Sequence, residues 1–235
     1  MRIIFIGTPD FAVPCLEALV AAGHEIAGVV TQPDRPKGRG HKLTPPPVKV
    51  LAEARGLPVF QPERIKHPGF VARLKELAPE MIVVVAFGQL LSKEILTLPE
   101  RGCVNVHASL LPRYRGAAPI HWAVINGEKE TGVTIMYMDE GLDTGDMILW
   151  ERVPIETGDT TGVVHDKLSA VGARLLVAAV AQIAAGTARR VPQDDTGSTY
   201  APLLNKEVEL IPWEKSACEV RNLIRGLNPW PGAFT

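Results

Sequence analysis

Asn105 and His107 stand two residues apart in the run Gly102-Cys103-Val104-Asn105-Val106-His107-Ala108-Ser109-Leu110-Leu111-Pro112, and Asp143 follows thirty-six residues after the histidine. An imidazole moves protons near neutral pH, a carboxamide donates to a developing oxyanion, and a carboxylate fixes a histidine tautomer or holds a water. These are the three roles that acyl transfer requires. Each group also has a plainer use. A lone histidine at a strand end more often satisfies backbone groups than it catalyses. The segment Asp139-Glu140-Gly141-Leu142-Asp143-Thr144-Gly145-Asp146 has the composition of a solvated turn. Its spacing is wrong for an EF-hand, which needs Gly at the sixth position and Glu at the twelfth. No GxSxG elbow supports covalent hydrolase chemistry, and Gly7-Thr8-Pro9-Asp10 lacks the GxGxxG dinucleotide pattern. Cys15, Cys103 and Cys218 lie far apart with no CxxC, so reduced thiols are expected rather than disulfides, and no metal site.

Bringing such groups together requires a scaffold, and the chain reads as an α/β protein with a mostly parallel sheet. Short apolar runs alternate with amphipathic segments, as strands buried on both faces require. Strands are predicted at 2–6, 25–31, 59, 81–86, 103–106, 132–138 and 147–153. Helices are predicted at 10–22 with Asp10 as cap, at 47–55, near 70–77, from about 118, and over 160–185. Asn105 and His107 then fall at the carboxyl end of a strand, where open α/β sheets bind ligands, and residues i and i+2 share a face. Residues 1–188 are read as the catalytic domain and 189–206 as a linker. Residues 207–235, with a strand over 208–213 and a helix over 217–226, are read as the beginning of a further, OB-type domain. With 46% hydrophobic residues the chain can bury a sizeable core. The net charge of −1, from 25 basic and 26 acidic residues, gives no global sign of nucleic-acid binding. The amino terminus is too short in apolar residues for a signal peptide, and the apolar stretch 175–185 is too short for a membrane helix.

The string Asn105-Val-His107-Ala-Ser109-Leu-Leu-Pro112-Arg-Tyr-Arg-Gly116-Ala-Ala-Pro119, with Thr131-Gly-Val-Thr134 and Gly141-Leu-Asp143-Thr-Gly-Asp146, resembles the folate-dependent formyltransferases. The resemblance continues through Gly7-Thr8-Pro9-Asp10-Phe11 and Val85-Ala86-Phe87-Gly88 and covers essentially the whole chain. It implies a Rossmann-like fold that takes 10-formyltetrahydrofolate as formyl donor, with Asn105, His107 and Asp143 catalytic. It further implies that Ser109, Leu110, Leu111 and Pro112 lie beside the folate. Phe87, Gly88, Gln89, Leu90 and Leu91, with Asp139, Gly141 and Leu142, would line the pterin pocket. The bland alternative for Phe87, Leu90 and Leu91 is ordinary core packing.

Between Gln32 and Lys49 the basic charge missing from the whole chain is concentrated among prolines and glycines that forbid regular structure over much of the segment. By composition it is a solvated loop. The pattern Thr31-Gln-Pro-Asp-Arg35-Pro-Lys37-Gly-Arg39-Gly-His-Lys42-Leu43 resembles the branch of the family that formylates initiator methionyl-tRNA. That resemblance implies that Arg35, Lys37, Arg39 and Lys42 contact tRNA phosphates. Relatives acting on a small nucleotide or an amino sugar would not need this loop. In the tRNA branch a C-terminal barrel also holds tRNA, and residues 208–235 resemble only its start, so weak tRNA binding is expected. A monomeric, cytoplasmic enzyme without membrane association completes the expectation.

Overall fold

A computed structural model describes residues 1–37 and 42–235. The main sheet contains β1 (Arg2–Gly7), β2 (Glu25–Val30), β5 (Val59–Phe60), β6 (Met81–Val85), β7 (Cys103–His107), β9 (Glu130–Tyr137) and β10 (Met147–Pro154). Between these in sequence lie a two-stranded hairpin, β3 (Arg35–Lys37) with β4 (Lys42–Thr44), and the short β8 (Arg115–Gly116). The last strand, β11 (Tyr200–Ala201), pairs with β8. The helices are α1 (Val13–Ala21), α2 (Pro47–Ala54), α3 (Pro68–Glu76), α4 (Lys93–Leu96), α5 (Pro119–Ile125), α6 (Thr161–Ala184), α7 (Lys206–Glu209) and α8 (Ala217–Gly226).

The sheet order is β10-β9-β7-β6-β1-β2-β5. All pairs from β5 to β7 are parallel, while β9 joins β7 and β10 joins β9 antiparallel. This is a Rossmann-like arrangement: the chain leaves β1 in one direction and resumes from β6 in the other. Period-two alternation sends each strand's residues into two separate cores. Ile3, Phe5, Val83, Val104 and Val106 pack with Leu16 and Leu19 of α1 and with Leu168 and Leu176 of α6. Ile4, Ile6, Ile82 and Cys103 pack with Val71 and Leu74 of α3 and Ile95 of α4. Of the described helices, α6 alone is long and apolar enough to cross a bilayer, and half of its apolar window is buried in the protein.

Three expectations about local structure are corrected. Asp10 does not cap α1; it lies inside a 3-10 turn, Asp10–Ala12, that leads into the helix. Residues 206–209 form the turn of helix α7 rather than a strand, because the Asn205 carboxamide oxygen accepts the Val208 N–H (3.1 Å) and starts it. After that turn Leu210 makes only an isolated bridge to Phe234. The basic segment is not wholly irregular, since Arg35↔Thr44 and Lys37↔Lys42 pair across an antiparallel hairpin. Arg39 lies outside the described residues. The stretch read as a linker runs over the surface, mostly exposed, and is held there by β11 and by a bridge between Val191 and Met147. Beyond it, α8 packs on α5, with Leu227 fully buried and the Thr161 hydroxyl donating to the Gly226 carbonyl at 2.7 Å.

Candidate active site

Along β7, Val104 and Val106 enter the α1/α6 core, so Cys103, Asn105 and His107 face the other side. On that side the cover comes from α4 and stops at Cys103, whose thiol meets the Ile95 and Leu96 carbonyls at 3.7 and 3.6 Å. Asn105 lies beyond this cover and is half-buried. No group among the described residues hydrogen-bonds its carboxamide. Alternate strand residues sit about 7 Å apart on one face, which puts that carboxamide and the His107 ring beside one small volume.

His107 is buried, with Nε2 2.9 Å from the Tyr114 carbonyl oxygen. A carbonyl can only accept, so Nε2 carries a hydrogen and donates it. The other ring nitrogen, Nδ1, lies 3.7 Å from Asp143 Oδ2. That separation is too long for a direct hydrogen bond but short enough for strong charge attraction. Nδ1 is therefore the ring nitrogen left to face the carboxylate. Both side chains are largely withdrawn from solvent, at 6% and 15% exposure, so water screens the pair weakly.

The loop from Ala108 to Tyr114 is held by one internal hydrogen bond and by others to Thr134, Thr199 and Glu128. Thr134, opposite His107 on β9, donates its hydroxyl to the Ser109 carbonyl (2.7 Å) and accepts the Leu111 N–H (3.2 Å). Ser109 donates to the Arg113 carbonyl at 2.6 Å. Tyr114 has φ +60, and its N–H is held by the Thr199 hydroxyl at 2.8 Å. The phenol donates to Glu128 at 2.7 Å, and burial pushes its pKa up.

Asp143 arrives on a separate turn, also in the left-handed region at φ +55. Its Oδ2 accepts the Gly116 N–H at 2.8 Å. Gly116 itself has φ +115, and a Cβ there would lie 2.6 Å from the Tyr200 ring and 2.7 Å from the Ala201 carbonyl. Within the turn, Asp139 accepts from the Gly141 N–H (3.0 Å) and the Thr144 hydroxyl (2.7 Å). Gly145 passes so close to the Tyr137 carbonyl that any side chain would overlap it.

The remaining sequence-predicted residues divide by what they present. Leu90, at 66% exposed, and Leu142, at 44%, offer apolar surface near the exposed Gly88 and Gly141. Phe87 is core, with its carbonyl accepting from Thr8 (3.4 Å) and Gln32 (3.1 Å). Leu91 is partly buried against the same core. The Gln89 carboxamide is spent on the Ile65 N–H (3.0 Å) and the Glu63 carbonyl (3.3 Å). Ser109 and Leu111 are buried, while Leu110 and Pro112 are half-buried. An ion pair of 2.7 Å between Lys93 and Glu140 links the β6 side of this rim to the Asp139 turn. Arg35 and Lys42 are exposed on the hairpin, Arg35 lying 3.6 Å from Glu63. Among the described residues no cluster of His, Cys, Asp and Glu could hold a metal ion. Sequence reasoning missed Arg115, Thr134 and Gln193, all of which support the site through long-range contacts.

The class of protein is thus one with a Rossmann-like sheet that carries a carboxamide and an imidazole at the carboxyl end of β7 and a carboxylate on the turn after β9. Residues 1–180 match the formyl transferase family and residues 203–235 its C-terminal domain, and the chain belongs to that family. It is 64% identical over 235 residues to the methionyl-tRNA formyltransferase of Moorella thermoacetica and 63% identical to that of Pelotomaculum thermopropionicum. Those alignments cover all of this chain and 76% and 75% of the two relatives. Among solved structures, an N-formyltransferase from Helicobacter canadensis, in complex with folinic acid and dTDP-3-aminofucose, shares the fold with a TM-score of 0.71. Identity there is 20%, over 96% of this chain and 80% of that one.

Proposed function

We propose that the chain transfers the formyl group of 10-formyltetrahydrofolate to the free amino group of initiator methionyl-tRNA, the formylation step of translation initiation. The observation that carries the chemistry is the buried His107–Asp143 pair beside the unpartnered carboxamide of Asn105. The amine nitrogen attacks the formyl carbon, and the bond from that carbon to N10 of the folate then breaks. The amine gives up a proton and N10 gains one. Asn105 donates an N–H to the oxyanion that forms at the formyl oxygen. His107, fixed through Nε2 by Tyr114, presents a protonated Nδ1 to the same oxyanion and passes protons between the two nitrogens. Asp143 stabilises the imidazolium. No residue forms a covalent bond to the formyl group.

We assign the folate to the exposed Gly88, Leu90, Gly141 and Leu142 and the half-buried Leu110 and Pro112, with Phe87 and Ser109 buried and Gln89 held by Ile65 and Glu63. The acceptor assignment rests on the two relatives above and on the basic hairpin, where Arg35 and Lys42 are poised for phosphates. A cytoplasmic, monomeric enzyme without a metal fits this reading. The test is formyl transfer from 10-formyltetrahydrofolate to methionyl-tRNA, with glycinamide ribonucleotide and an amino-sugar nucleotide as control acceptors. Preferential transfer to either control would overturn the acceptor assignment.

A further inference from the structure

The segment joining α6 to α8 sends one side chain into the catalytic region. Gln193 Nε2 donates to the Asp143 carbonyl at 2.9 Å and to the Gly145 carbonyl at 2.8 Å. Its Oε1 accepts from Arg115 Nε at 3.1 Å and Nη2 at 2.7 Å. Both amide hydrogens and both oxygen lone pairs are therefore used. Because a guanidinium only donates, the carboxamide has one possible orientation. Arg115 is itself pinned, with a side chain 12% exposed and a second bond to Asp195 at 2.7 Å.

Three consecutive residues thus hold the dyad from three sides. The Tyr114 carbonyl accepts from His107, the Gly116 N–H donates to the Asp143 carboxylate, and Arg115 between them orients the glutamine that grips the Asp143 backbone. Asp143 needs such a grip. A left-handed conformation is strained for a non-glycine residue and persists only when its surroundings over-determine it. The turn's own side-chain bonds, from Asp139, hold Gly141 and Thr144 but not Asp143.

We infer that Gln193 and Arg115 are positioning residues for the carboxylate, so that the connector 191–201 is a structural wall of the active site rather than a spacer. The inference rests on the formyl-transfer reading for its kinetic consequence, but not for its geometry. Replacing Gln193 releases two carbonyls and frees the turn to relax. Asp143 then leaves its place opposite Nδ1, and the imidazolium loses its partner.

The experiment compares the full chain with Gln193→Ala, Gln193→Glu and Arg115→Lys. In Gln193→Ala, kcat is expected to fall about tenfold, with KM for 10-formyltetrahydrofolate within twofold of the parent. Gln193→Glu keeps a partner for Arg115 but sets a carboxylate against two carbonyls, and should be at least as impaired. Arg115→Lys, which cannot give the paired bonds, should fall between parent and Gln193→Ala. Amide hydrogen exchange supplies a readout independent of turnover: the Gly116 N–H, which bonds to the Asp143 carboxylate, should exchange at least tenfold faster in Gln193→Ala. If the parent transfers no formyl group, the functional reading fails while the exchange data still decide the positioning role. Unchanged exchange at Gly116, or a parental kcat in an active enzyme, overturns the inference.

Discussion

Replacing Asp143 by Asn removes the charge facing His107 while leaving the turn intact. Asparagine tolerates the left-handed region at least as well as aspartate, so φ +55 is no obstacle. Its side-chain oxygen can still accept the Gly116 N–H. What changes is the field at Nδ1, 3.7 Å from Oδ2. Two unit charges at that separation attract by about 4.5 kcal/mol at an effective dielectric of about 20, and by about 1 kcal/mol in bulk water. With side-chain exposures of 6% and 15%, the pair belongs nearer the first value than the second. At about 1.4 kcal/mol per decade, those bounds correspond to rate losses of roughly six-fold and roughly two-thousand-fold. We expect kcat to fall by about 10² to 10³, with KM for 10-formyltetrahydrofolate little changed and the thermal midpoint within about 3 °C of the parent. The assay is steady-state formyl transfer across pH, beside calorimetry of both proteins. An Asp143→Asn enzyme with kcat within threefold of the parent would refute the claim that this charge stabilises the imidazolium.

Other consequences follow from buried and surface groups. Burial pushes the thiols of Cys15 and Cys103 up to about 12, whereas Cys218 is exposed. A thiol-reactive disulfide at pH 8 should therefore titrate one cysteine in the native protein and three after denaturation. Burial pulls the carboxyl of Asp159 upward, but hydrogen bonds from Lys167 and the Glu156 N–H outweigh it and hold it below the usual carboxylate range. Such a group binds its proton less readily folded than unfolded. Its stabilising effect is thus complete above the unfolded pKa, near 4, and is lost as pH falls through the folded value. Asp159→Asn should flatten the dependence of thermal midpoint on pH below about 4, and an unaltered slope would contradict this. Arg35→Ala with Lys42→Ala should raise KM for methionyl-tRNA several-fold and shallow its salt dependence without affecting the folate KM. Equal salt slopes would remove the hairpin from the tRNA surface.

Much of the scaffold was legible because buried parallel strands leave continuous apolar runs, as in Ile82 to Val85, and because apolar periodicity marks α6 over six turns. The face shared by Asn105 and His107 followed from strand geometry alone. Errors arose where a local signal met a competing one. Asp10 looked like a cap, yet the chain behind Pro9 enters a 3-10 turn first. The run 208–213 alternates like a strand, but Asn205 caps a helical turn ahead of it and Pro212 follows. Pro36 masked the hairpin, which tolerates it in a two-stranded ribbon. The grip of Gln193 on Asp143 joins residues 50 apart in sequence, and that of Arg115 on Gln193 residues 78 apart. No local pattern marks such contacts, and the polar composition of 189–206, most of which is exposed, gives no sign of the one side chain it sends inward. For His107 the plainer reading of a strand-end histidine holds at one nitrogen, which satisfies a backbone carbonyl, while the other nitrogen faces a carboxylate.

The central claim concerns the three groups at the carboxyl end of β7 and on the Asp143 turn, and single-turnover formyl transfer tests it most directly. Enzyme in excess over methionyl-tRNA, mixed with 10-formyltetrahydrofolate carrying a labelled formyl group, reports the chemical step on the tRNA itself. The parent should move label onto the methionyl amine, while Asn105→Ala and His107→Ala should each do so at least 10²-fold more slowly. No transfer by the parent, or undiminished transfer by His107→Ala, would contradict the account.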